Sequence, residues 1–151
     1  MEDLNIPKQK KEVEIAFKDG GFIKKTKMIL FLNRFSAYHT GEETVLEVLN
    51  DKAQFIPAMI MNGDQKFSIL NVDSIFYVSE LDDIPDESDK ENLSIQFITG
   101  EKINFTVHEE LPGNRSRAID FLNTDRSFLT FMKDNRKVYI NKNKINKVEI
   151  V

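Results

Sequence analysis

A chain of 151 residues with 40% apolar content is long enough for one ordinary domain or two small ones. The absence of Cys excludes disulfides and thiolate metal sites, and the longest apolar run, Met28–Leu32, is far too short to span a bilayer as a helix. The net charge of −4 is uneven: residues 80–92 hold seven acids against one Lys, and residues 93–151 carry ten Lys or Arg against seven acids, too mild an excess for a dedicated nucleic-acid surface.

In chain order, residues 1–12 (MEDLNIPKQKKE) are polar, charged and without periodicity, and read as a disordered arm. With no apolar stretch of the kind a secretory signal needs, the expected location is cytoplasmic. Val13–Lys18 alternates, with Val13, Ile15 and Phe17 on one face, as a half-buried strand does. Asp19-Gly20-Gly21 is a turn, and a second strand runs to Leu32. Its end, Met28–Leu32, is apolar on both faces and so needs cover on its second face. Glu42–Asn50 has the i, i+3, i+4 spacing of one or two helical turns. Gln54–Met61 and Lys66–Leu70 form a hairpin across Asn62-Gly63-Asp64, and Ser74–Ser79 closes the unit.

The same skeleton then recurs. Leu46, Leu49, Asn50, Phe55, Met59, Asn71, Ile75 and Val78 fall in order against Ile119, Leu122, Asn123, Phe128, Met132, Asn141, Ile145 and Val148. Gly20 matches Gly100, and the shifts in offset fall in loops, as a duplication requires. The expected organisation is therefore all-β: a first five-stranded repeat over 13–79, an acidic linker over 80–92 and a second repeat over 93–151. Each repeat is expected to form a small barrel with one helical turn, the two packed as a pseudo-dimer.

Arg117-Ala-Ile-Asp120-Phe-Leu-Asn123, followed by Phe128 and Ile140-Asn-Lys-Asn-Lys-Ile145, resembles a family of small bacterial all-β domains of unknown function, themselves similar to Sm-like or SH3-like barrels. The resemblance covers about residues 93–150 well and 13–79 less well, where Thr44, Glu47 and Asp73 stand in place of Arg117, Asp120 and Asn143. It implies a fold and a bacterial setting, and brings no catalytic residues.

Candidate chemistry is sparse. His39 and His108 are the only histidines, lie at non-equivalent places and have no ligand spacing around them. Glu42-Glu43 and Glu109-Glu110 are adjacent pairs, which on a strand point to opposite faces. No Gly-rich phosphate loop occurs. No catalytic residue, metal or cofactor is therefore assigned, and the chain is read as no enzyme. Arg115 and Arg117 are candidates for gripping an anion by forked hydrogen bonds, against the plainer reading that Arg117 pairs with Asp120 or Glu149. Lys137, Lys142, Lys144 and Lys147 are candidates for nucleic-acid contact, against a solvated strand face. The first expectation is a non-enzymatic binding or scaffold module that meets a protein partner or itself through a strand edge or an interdomain groove. The alternatives are nucleic-acid binding by the second repeat and nucleotide sensing.

Overall fold

A computed structural model describes residues 8–61, 64–85, 91–107 and 116–151. Its first half contains β1 (Lys8–Asp19), β2 (Phe22–Asn33), α1 (Val45–Asn50), β3 (Phe55–Ile60), β4 (Phe67–Asn71) and β5 (Tyr77–Glu80). The second contains β6 (Asn92–Phe97), β7 (Lys102–Val107), α2 (Ser116–Leu122), β8 (Phe128–Lys133), β9 (Arg136–Asn141) and β10 (Ile145–Ile150). The all-β class and the duplication of elements are both present. No described helix is long and apolar enough to cross a membrane.

The local chemistry of the two halves matches in detail. Asn71 Oδ1 accepts the N–H of Asp73 at 3.1 Å, and Asn141 Oδ1 accepts that of Asn143 at 3.0 Å. Each Asn thereby caps a single 3₁₀ turn that aims the chain from the fourth strand into the fifth. Beside these turns, Val72 N–H donates to Gln54 O at 2.8 Å and Lys142 N–H to Ser127 O at 2.9 Å. The hairpin at Asp134-Asn135 has positive φ at both residues, 53° and 62°, which Asp and Asn tolerate and which suits the twist of the flanking strands.

All ten strands join one antiparallel sheet, in the order β10-β6-β7-β8-β9-β5-β1-β2-β3-β4. Each half contributes its strands in the same internal order, fifth-first-second-third-fourth. The sheet is open, ending at β10 and β4, so where two separate small barrels were expected from the sequence the strands of both halves form one continuous sheet. The halves meet where β5 pairs with β9, with Tyr77 opposite Ile140, Val78 opposite Tyr139 and Ser79 opposite Val138. A fifth strand thus pairs with a fourth strand. That is a head-to-tail junction between non-equivalent edges, unlike the like-with-like contact of a two-fold dimer.

The junction explains the shape of the core. One cluster is built from the first half, including Ile15, Leu30, Leu49 and Ile75, and takes in Phe128 and Tyr139 from the second. The other is built from the second half, including Leu93, Phe97, Phe105 and Phe131, and takes in Ala16, Phe76 and Tyr77 from the first. At the junction, therefore, β5 buries both faces and β1 does so at Ile15 and Ala16. Met28, Leu30 and Leu32 also enter the first core, which satisfies one face of the apolar run within the chain.

Two boundaries differ from the sequence reading. Strand β1 begins at Lys8, so Lys8–Glu12 is a strand rather than part of an arm. It pairs with Ile29–Asn33 and thereby gives that segment its backbone partner. The start of the acidic segment is pinned down as well. Ile84 N–H donates to Asn135 O at 2.7 Å, Asp82 takes Lys11 at 2.9 Å and Asp83 takes Arg136 at 3.3 Å.

Candidate functional site: the junction groove

Helix α1 is set at the junction by its caps. Thr44 accepts from Glu47 N–H at 3.2 Å, and Glu47 Oε1 accepts from Thr44 N–H at 3.2 Å, a reciprocal capping box. At the other end Asn50 makes two bonds to one residue of β8. Its Oδ1 accepts Phe128 N–H at 2.8 Å and its Nδ2 donates to Phe128 O at 3.1 Å. Glu43 fixes the approach to the helix, accepting Asn33 N–H at 2.9 Å.

Between α1 and the loop preceding β8 lies an open groove of about 760 Å³. Tyr38, His39, Leu46 and Glu47 line one wall and Asp125, Arg126 and Ser127 the other. Tyr38 is 77% exposed. His39 Nε2 lies 2.6 Å from Glu47 Oε1 and its Nδ1 lies 3.1 Å from Thr40 O. Both ring nitrogens thus face acceptors, which favours the imidazolium. The Thr40 carbonyl and then Glu47 raise the His39 pKa above its ordinary value. Burial, the largest single influence on Glu47, pushes its carboxyl up. Hydrogen bonds from Ser36, at 2.7 Å, from His39 and from Thr44 outweigh it and hold the carboxyl below the usual range.

A second polar cluster crosses the junction on the other side. Tyr139 donates to Glu80, which also faces Lys11 at 3.6 Å, and Arg136 lies 3.9 Å from Glu14. Burial and the Glu80 carboxylate hold the Tyr139 phenol protonated well beyond physiological pH. Burial, with the charges of Glu101 and Glu14, pushes Tyr77 up to about 12. Tyr139 is thus a hydrogen-bond donor to Glu80 across the junction.

Compared with known proteins, the chain matches no family model, no curated protein and no solved structure.

The residues singled out from sequence are dispersed. Arg115 lies outside the described residues, as do His108, Glu109 and Glu110 and the side chain of Arg117, whose backbone is in α2. Lys142 donates to Thr124 O, and Lys144 sits over the Phe76 ring at 5.7 Å. Lys147 lies 3.7 Å from Glu149, while Lys137 lies opposite Met132 on the β8–β9 hairpin. Among the described residues no group of three or more His, Asp or Glu is placed to hold a metal.

Sequence reasoning named Asn50, Thr44 and Glu47 only as repeat positions and missed their bonds, and it did not single out Tyr38 or Arg126. The Thr44-x-x-Glu47 capping box was a legible signal. The bond from Asn50 to Phe128 had none, since the two residues are 78 positions apart.

Proposed function

We propose that this chain is a non-enzymatic binding or scaffold module that recognises a protein partner in the junction groove. The observation that carries the reading is the groove itself. It is about 760 Å³, with Tyr38, Leu46 and Arg126 on its walls and the bonded pair Asn50–Phe128 tying its two sides together. Exposed Tyr and Arg beside an aliphatic residue are the side chains that dominate protein-recognition sites. A groove built across a junction of strands is also preorganised, so little ordering cost falls on binding. The halves are read as tandem copies of one small SH3-like or Sm-like unit, joined into a sheet.

The test is capture of partners from the native cell, followed by titration of the identified partner into isotope-labelled protein. Chemical-shift changes are expected at residues 38–51 and 125–127, and a Tyr38→Ala/Arg126→Ala double substitution is expected to weaken binding at least tenfold. Shift changes confined to other surfaces would remove the groove from the mechanism. A steep loss of affinity for RNA or DNA with salt, abolished by substituting Lys137, Lys142, Lys144 and Lys147, would replace this reading with nucleic-acid binding.

A further inference from the structure

The two free edges of the sheet are the two halves of a junction that the molecule has already built once. Inside the chain a fifth strand, β5, pairs with a fourth strand, β9. At the ends of the sheet a fifth strand, β10, and a fourth strand, β4, have no neighbour on their outer sides among the described residues. The positions that the internal junction buries are exposed at these edges. Phe128 and Tyr139 are 1% and 4% exposed, and their counterparts Phe55 and Ile69 are 57% and 72% exposed. Leu46 of α1 packs on the first core, whereas its counterpart Ile119 of α2 is 60% exposed.

The polar groups follow the same rule. Asn141 Nδ2 donates across the junction to Ile75 O at 3.0 Å and Asp73 O at 3.3 Å, and Asn141 N–H donates to Phe76 O at 2.9 Å. Asn71 keeps the same cap on its own 3₁₀ turn, but its Nδ2 has no partner among the described residues. Asn123 is exposed, and its side chain likewise has no partner among them, whereas its counterpart Asn50 holds both backbone groups of Phe128.

We infer that chains of this protein assemble head to tail, with β10 of one copy pairing with β4 of the next and reproducing the β5–β9 junction. The register follows from the internal one: Lys147 opposite Leu70, Val148 opposite Ile69 and Glu149 opposite Ser68. Asn123 then binds the backbone of Phe55 in the next copy, and Asn71 reaches the carbonyls of Asn143 and Ile145. Lys147 and Glu149 take the places of Tyr77 and Ser79, which the internal junction buries. They lie 3.7 Å apart and enter the new junction as a neutralising pair, with the apolar stem of Lys147 against Leu70 and its ammonium at the rim. An exposed apolar edge left without a partner is otherwise an aggregation hazard. A head-to-tail contact leads to a closed ring when its rotation closes and to a filament when it does not.

This inference does not depend on the groove, because none of the positions changed below lines it. Light scattering and native mass spectrometry on the full chain should show species above the monomer. Ile69→Asp removes one edge and Ile119→Asp/Asn123→Ala the other, each at exposed positions. Each variant alone is expected to be a folded monomer. Mixed, the two retain one good edge apiece and are expected to form a heterodimer and nothing larger. A fixed limit at two is specific to head-to-tail pairing. As an independent check in a chain that lacks cysteine, Ser68→Cys and Glu149→Cys should form an interchain disulfide only when the two variants are mixed. A wild-type monomer at millimolar concentration, a mixture that stays monomeric, or unchanged self-association of Ile69→Asp would each overturn the proposal.

Discussion

Phe128 and Phe55 are the same residue at the same place in two copies of one unit, yet Phe128 is 1% exposed and Phe55 57%. The intrinsic chemistry is identical, so the difference comes from what stands next to each copy. Phe128, on β8, packs in one core with first-half residues such as Leu49 of α1 and Ile75; Phe55, on β3, has no second half to cover it. The comparison teaches that the duplicated unit carries more apolar surface than it can cover alone. One copy's excess is absorbed by the junction, and the other copy's excess remains at the edge.

The largest expected effect breaks this comparison at its centre. Phe128→Ala should cost about 3–5 kcal/mol, because it opens a hole in a core shared by both halves. Phe55→Ala should cost no more than about 0.5–1 kcal/mol in dilute protein, where most of the residue is exposed. Chemical denaturation of both variants checks this, and equal losses would mean that the halves are not joined as described.

A smaller contrast is expected for the asparagines. Asn141 is buried at 1% exposure and serves three backbone groups, so Asn141→Ala should cost about 1–3 kcal/mol by stranding the Asp73 and Ile75 carbonyls. Asn71→Ala loses only the turn cap, about 1 kcal/mol. Asn50→Ala should lose about 1 kcal/mol through its two bonds to Phe128, while Asn123→Ala should be close to neutral. Thermal melts at low protein concentration rank the four, and an Asn123 variant as damaging as the Asn50 variant would contradict the exposed placement of Asn123.

Much of this was readable in the chain, and the part that was not has a physical reason. Alternation in Val13–Lys18 marked a strand, and the matched Asn71 and Asn141 marked equivalent positions of the two repeats, because such signals lie in short stretches of the chain. The pairing of β5 with β9 is not local. It joins segments 66 residues apart at Asn141–Ile75, and no residue type announces it. Lys8–Glu12 looked like a solvated arm because its polar residues hide a strand whose support comes from Ile29–Asn33 across the turn. The apolar run Met28–Leu32 pointed to cover on its second face; the structure places Met28, Leu30 and Leu32 in the first core, which accounts for one face. Arg117 and the four lysines were chosen for charge alone. The lysines' contacts, with Thr124 O for Lys142, Phe76 for Lys144 and Glu149 for Lys147, depend on the folded path.

The smallest expected effect separates the two helices. Helix α1 carries Glu47 with His39 2.6 Å away, and the matching position in α2 is Asp120. His39 is more basic folded than unfolded, first through the Thr40 carbonyl and then through Glu47. Its contribution to stability is therefore fully present below about pH 6.5, the unfolded value, and is lost as pH rises through the folded value. Glu47 runs the opposite way: its lowered carboxyl contributes above the ordinary carboxylate range and is lost as pH falls through its folded value. The His39–Glu47 pair should thus be strongest in mildly acidic solution, between those two limits. NMR titration of the His39 ring should give a midpoint above its ordinary value, moved down by Glu47→Gln. A midpoint at or below the ordinary value would show that the imidazolium is not held there. A bound partner in the groove should move the same midpoint, because His39 and Glu47 are on its wall. An unmoved midpoint in the complex would place the partner elsewhere on the sheet.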